Sequence, residues 1–186
     1  MNKVSLRHQK YYTRIRYIFG KDVNCSYCHK KIYHKNSRIK LQKSFYCSKK
    51  CQSLNMRKLK YKQDMIRMKK EYLKFTNYLK SLNPIFLGWL AGFWEGEGHI
   101  EKHKNTNYNF VFTIAQKDPT SLYRIQQILQ IGKVRKTRYK NIYMFRYDLY
   151  KSGQILAIIE YFKKVITGKY RTKQINKIYN LLKKIK

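Results

Sequence analysis

Acidic residues are scarce in this chain: Asp and Glu together number 9 against 43 Lys and Arg in 186 residues, a formal charge of +34. A compact body with that field repels itself, so the shortage implies a polyanionic partner. Long apolar runs are also missing. None reaches the roughly 20 residues that a membrane-spanning helix needs. Tyr and Phe are interleaved with the lysines rather than gathered on one helix face, which argues against binding to a membrane surface. Proline occurs twice, as Pro84 and Pro119, and each stands where a helix begins. Alanine occurs three times against many Lys, Ile, Tyr and Asn, the bias of an AT-rich, organellar gene.

Cysteine is limited to four residues, and they fall into two short-spaced pairs, Cys25/Cys28 and Cys47/Cys51. Four thiolates so arranged match a structural zinc site, with each pair reaching the ion from a turn or a helix start. Two disulfides are the alternative. His29 and His34 lie close enough in sequence to replace a cysteine ligand. The surroundings, Cys-Ser-Tyr-Cys-His-Lys-Lys and Tyr-Cys-Ser-Lys-Lys-Cys-Gln, resemble treble-clef zinc knuckles. With four protein ligands such an ion has no open position for water, so its role is to fold a segment too small for its own core.

Charge is spread along the whole chain. Residues 1–83 hold 23 basic and 3 acidic residues, and residues 84–186 hold 20 and 6. Met1–Gly20 is basic and free of acid, as mitochondrial transit peptides are. From Ser48 to about Leu82 the chain reads as a long basic helix, with Met56, Leu59, Met65, Met68, Tyr72, Phe75 and Leu79 at three- and four-residue steps. Such a helix is either a solvated spacer or a rod lying along phosphates.

Residues Leu90–Gly98 read Leu-Ala-Gly-Phe-Trp-Glu-Gly-Glu-Gly. Gly88 and Gly92, four apart with Ala91 beside them, leave one stripe of this helix without bulk, so a second helix can approach. A carboxylate at the helix C-terminus meets the negative end of the macrodipole, which costs a few tenths to about 1 kcal/mol unless a cation offsets it. Glu97 therefore reads as a metal ligand, and a hard ion such as Mg²⁺ suits one carboxylate plus phosphate oxygens and waters.

Beyond this helix, His99–Lys104 and Tyr108–Ala115 alternate as two strands joined by Lys104–Asn107. Asp118 and Pro119 open a helix through Gln130, closed by Gly132, with Leu122, Ile125 and Leu129 as its apolar side. A second hairpin spans about Lys133–Tyr139 and Ile142–Leu149. Two amphipathic helices follow, about Ser152–Val165 and Thr172–Ile185.

The nonapeptide resembles the signature of the LAGLIDADG homing endonucleases of the single-motif type, and the element order is similar to the αββαββα body of that family. The resemblance implies an α+β fold in which a four-stranded antiparallel saddle carries its helices on one face. This body is expected over 84–186, after a basic arm and four-cysteine zinc knuckle over 1–52 and a basic helical linker over 53–83. It also implies that Glu97 binds metal at the scissile phosphate, with Glu95 a structural partner at the helix end. Gln116, ending Phe112-Thr-Ile-Ala-Gln, would organise the attacking water. Lys169, Arg171 and Lys173, in a stretch similar to a family turn, are three candidates for a basic residue near the metals. Some relatives place an arginine shortly after the glutamine; here Pro119 and Thr120 stand there, and Arg124 comes one turn later.

One motif copy implies a second motif-bearing chain, met through the Gly88/Ala91/Gly92 face. Three functions fit: a Mg-dependent homing endonuclease making double-strand breaks as a homodimer, an endonuclease-derived rRNA-binding component of a mitochondrial ribosome alongside neighbouring ribosomal proteins, and an intron maturase. Charge of this size favours the ribosomal reading, with lysines on phosphates and tyrosines stacked on unpaired bases.

Overall fold

The computed structural model describes residues 20–102, 110–139 and 142–186. The expected basic arm up to Phe19, the Lys104–Asn107 turn and Tyr108 lie outside the described residues. The chain divides into two compact units, Met1–Gln63 and Asp64–Lys186.

In the first unit, strands β1 (Gly20–Asn24) and β2 (Lys31–Lys35) form an antiparallel hairpin, followed by the short helix α1 (Asn36–Leu41). Helix α2 (Lys49–Ser81) begins in this unit and continues into the second. Its start is capped by Ser48, whose Oγ accepts the Cys51 N–H at 3.2 Å.

The second unit holds a four-stranded antiparallel sheet, ordered β3-β4-β6-β5. Its strands are β3 (Gly98–Lys102), β4 (Phe110–Gln116), β5 (Lys133–Tyr139) and β6 (Ile142–Leu149). Four helices accompany it: α3 (Pro84–Glu97), α4 (Thr120–Leu129), α5 (Ser152–Val165) and α6 (Lys169–Leu182), closed by a 3₁₀ turn at Lys183–Ile185. The expected α+β architecture, with helices on one face of the sheet, is therefore present.

Strand alternation decides which residues meet those helices. Ile100, Phe112, Ile114, Tyr147 and Leu149 are buried against them. From α3 come Leu87, Leu90 and Trp94, and from α5 Ile155, Leu156, Ile159 and Phe162. Trp94 stacks on Phe112 with ring centroids 5.7 Å apart and tilts against Phe162 at 5.4 Å, which locks motif helix, sheet and α5 together. Gly98 follows directly, because a Cβ there would run into the Trp94 indole.

The second half of α2 joins the same core through Met68, Phe75 and Leu79. Gly153 allows this: a Cβ at that position would meet the Met68 carbonyl on the α2 backbone. Met56 and Leu59, expected on the same apolar stripe, are exposed.

Two expectations are corrected. The last helix starts at Lys169, three residues before the expected Thr172, so the predicted turn at Lys169–Lys173 is the first turn of a helix. Ala91 does not share the open stripe of α3; it faces the core at 2% exposure, while Gly88 and Gly92 are exposed with nothing near them.

Candidate functional site

Two sites emerge, one in each unit. In the first, the β1–β2 turn carries Cys25 and Cys28, the approach to α2 carries Cys47, and the first turn of α2 carries Cys51. The four sulfur atoms lie within 4.8 Å of one another, and among the described residues this is the only such cluster. Sγ of Cys47 stands 3.5 Å from that of Cys28 and 3.4 Å from that of Cys51. A tetrahedral zinc with Zn–S bonds of about 2.3 Å sets its sulfurs about 3.8 Å apart, so the donors fit a metal ion. All four cysteines are free thiols rather than disulfides.

The backbone builds this cradle. Cys25 N–H donates to Lys30 O at 2.9 Å and His29 N–H to Cys25 O at 3.0 Å, closing the turn with His29 at a φ of 61°. Ser26 N–H donates to Phe45 O at 2.7 Å and brings the second pair alongside. The backbone N–H of Cys28 helps hold the Cys25 thiol down to about 6, while Cys47, sharing hydrogen bonds with the thiols of Cys51 and Cys28, is pushed up to about 12. Such crowding of protons between sulfurs is what a cation would relieve. His34 tilts against the Phe45 ring at 4.8 Å, and His29 is exposed; neither joins the cluster.

In the second unit the signature helix α3 ends on two carboxylates with different surroundings. Glu95 Oε1 accepts the Gly168 N–H at 2.9 Å, and the Glu95 carbonyl accepts from Arg171 Nε at 2.8 Å. The Arg171 guanidinium also lies over the Trp94 ring at 5.3 Å. Glu97 is exposed and has no hydrogen-bond or ion-pair partner among the described residues. The next residue, Gly98, pairs with Ile114, so Glu97 and the β4 terminus at Gln116 share one end of the sheet. Gln174 brings α6 to the same place, its Nε2 lying 3.2 Å from His99 Nδ1 and 3.3 Å from Ile100 O.

Of the three basic candidates, the structure engages Arg171 in holding the helix end and leaves Lys169 and Lys173 exposed on the first turn of α6. Arg124 sits on α4. The sequence reading did not single out His99 and Gln174, because polar residues at element ends carry no periodic signal.

The sheet face turned away from the helices is polar. Strand register places His99, Thr113, Asp148 and Lys133 in one row across it, with Arg146 beside Arg135 in the next. Asp148 is buried at 4% exposure and accepts from Thr113 Oγ1 at 3.0 Å, Arg146 at 3.2 Å and Tyr150 Oη at 3.1 Å. The buried acid thereby holds one guanidinium on this surface, with the exposed Glu101 3.8 Å from the same Arg146.

A family model described as LAGLIDADG endonuclease matches residues 90–185. The chain belongs to the LAGLIDADG endonuclease family. Solved LAGLIDADG structures are similar to it. The homing endonuclease I-CvuI in complex with the I-CreI target shares 20% identity over 54% of this chain and 68% of its own, at a TM-score of 0.41. The group I intron-encoded homing endonuclease I-CeuI, complexed with DNA, shares 16% over 68% of this chain and 72% of its own, at 0.44. The LAGLIDADG meganuclease I-AabMI, bound to uncleaved DNA, shares 25% over 55% of this chain and 38% of its own, at 0.42. No curated protein matches the chain.

Proposed function

We propose that the chain is a metal-dependent, site-specific DNA endonuclease that acts as a pair of chains. One observation carries this reading: of the two signature carboxylates, Glu95 is consumed in holding the helix end, whereas Glu97 is exposed and uncommitted at the end of the same helix. A purely architectural motif has no use for the second acid, which the macrodipole disfavours.

Glu97 fits a divalent ion, since a hard cation such as Mg²⁺ takes one or two carboxylates and completes its shell with phosphate oxygens and water. When bound, the ion would polarise the phosphodiester and its attacking water. Gln116, at the end of β4, would orient that water. Lys169 and Lys173 supply cationic charge where the phosphate gains negative charge. Arg135, Arg146 and Lys133 on the outward sheet face then contact the DNA backbone.

The second chain would be met through α3. Gly88 and Gly92 stand open beside Trp89 and Phe93, which stack with centroids 5.1 Å apart, and Phe86, which tilts against Trp89. Ile85 in the same stretch is 81% exposed. An apolar face with small residues is suited to close helix–helix contact.

A second reading, an rRNA-binding component of a mitochondrial ribosome in the organelle matrix, is favoured by the formal charge of +34 and by the four-cysteine cluster as a zinc-folded arm. Charge alone ranks this reading first; the uncommitted Glu97 reverses the order. Incubating the protein with Mg²⁺ and DNA spanning its own gene's insertion site separates the two. A discrete double-strand break that Glu97→Gln abolishes supports the nuclease. No break, together with co-sedimentation with ribosomes in high salt, supports the ribosomal role.

A further inference from the structure

A groove of about 760 Å³ opens on the helical side of the second unit, between the latter half of α2, the end of α4 and the start of α5. We propose that this groove is a second nucleic-acid contact, which binds the phosphodiester backbone of a folded RNA. The proposal goes beyond the nuclease reading, which uses only the sheet face and the end of α3.

Arg67, Lys70 and Lys74 line one wall, spaced i, i+3 and i+7 on a single stripe of α2, and Lys151 faces them from the start of α5. The stripe runs about 10 Å along the helix axis. Lys70 and Lys74 have no ion pair among the described residues. Arg67 meets Asp64 at 2.8 Å, but the pair is exposed and leaves most of the guanidinium N–H groups available. The one acid in the lining, Glu71, lies 3.9 Å from Lys151.

The amides of Gln130 and Gln154 add donors at the ends, and Phe75 and Leu129 form an apolar floor. Helix α5 opens at this groove with no side-chain cap and no acid in its own first turn, so its positive end adds to the field of the lysines. Lysines on an ordinary solvated face diverge from one another, whereas these converge from two elements onto a concavity.

Folded RNA fits this position better than DNA does. The groove lies behind the sheet, because α4 and α5 pack on the face opposite the His99–Lys133 row. A DNA duplex seated on the outward face would have to bend sharply to reach it, at a cost of several kcal/mol. A folded RNA presents backbone at several angles and can meet both faces.

The test compares salt slopes, log K against log salt concentration, for a folded RNA containing a three-way junction and for a DNA duplex with the same number of phosphates. Lys70→Gln/Lys74→Gln should lower the RNA slope by about 1.5 and leave the DNA slope unchanged. Lys70→Glu/Lys74→Glu should weaken RNA binding at least tenfold further. Lys177→Glu/Lys184→Glu is the control for charge elsewhere, and equal thermal midpoints show that each variant is folded. An unchanged RNA slope, equal losses on RNA and DNA, or the same loss in the control would overturn the proposal. So would an acidic peptide that binds the wild type as tightly as RNA with the same sensitivity to these substitutions. None of these readings depends on cleavage, so the groove and the nuclease reading fail separately.

Discussion

The carboxylate of Glu95 accepts the backbone N–H of Gly168 at 2.9 Å, across 73 positions of sequence, and so ties the end of the signature helix to the start of α6. Gly168 has to lack a side chain for this, because a Cβ there would collide with the same carboxylate oxygen. Two acids two positions apart are thus given opposite tasks. Glu97→Gln should abolish Mg²⁺-dependent cleavage while changing stability by less than about 0.5 kcal/mol. Glu95→Ala should cost about 1 kcal/mol and lower the thermal midpoint. Calorimetry beside a cleavage assay distinguishes the pair; equal loss of stability in both variants would contradict the division.

The open glycines of α3 predict a separation of folding from association. Gly88→Ala and Gly92→Ala meet no atoms and remove backbone freedom from a helix interior, so each should stabilise the single chain by up to about 1 kcal/mol. Gly88→Leu/Gly92→Leu should block pairing of two chains. Analytical ultracentrifugation on DNA should then show single-chain complexes. Gly98→Ala, by contrast, drives a methyl group into the Trp94 indole and should cost about 1–3 kcal/mol.

Without DNA or added Mg²⁺, a single bound metal per chain is expected in native mass spectrometry, held by Cys25, Cys28, Cys47 and Cys51. Cys47→Ser should abolish it and unfold the first unit. Metal removal with a strong chelator should do the same to the wild type, seen as lost protection of the β1–β2 amides in hydrogen exchange. Full occupancy in Cys47→Ser would show that the cluster is not the site.

Asp148 is nearly enclosed, and the Nε of its partner Arg146 is buried without a hydrogen bond among the described residues. Removing the acid takes the buried acceptor from Thr113 and the nearer carboxylate from Arg146, which keeps Glu101 at 3.8 Å, so Asp148→Ala should cost about 1–3 kcal/mol. Asp148→Asn, which keeps an acceptor, should cost less. Urea denaturation ranks the two.

Acid sensitivity should also be visible at Asp118. The Thr120 hydroxyl and N–H both donate to its Oδ1, at 2.8 and 3.1 Å, and lower its carboxyl below the ordinary value. A depressed folded-state value means stability that is complete above the ordinary carboxylate value and lost as pH falls through the folded one. Wild type and Asp118→Ala should therefore differ in thermal midpoint at neutral pH and converge at strongly acidic pH. A difference that persists there would rule out this cap.

Local pattern made much of the fold legible. The strands Lys133–Tyr139 and Ile142–Leu149 and the helix Ser152–Val165 appear with the bounds expected from alternation and apolar spacing. The start of α6 was hidden, because Lys169–Lys173 is polar and its first turn has no apolar period. Ala91 was misplaced because a small residue beside two glycines reads as part of their stripe, whereas helix phase turns it inward. Tyr143 alternates in phase with Tyr147 and Leu149 along β6, yet it is exposed while they are buried. The long-range contacts of Asp148, Glu95 and Gln174 depend on tertiary approach, which no window of sequence carries.

The close approach of Gly153 to the Met68 carbonyl has a practical side. The family match starts at residue 90, yet Met68, Phe75 and Leu79 from the preceding helix are buried in the same core. A fragment cut at the signature would open that core to water, and a chimera that transplants the family-type body into another scaffold must carry the latter part of α2 as its keel.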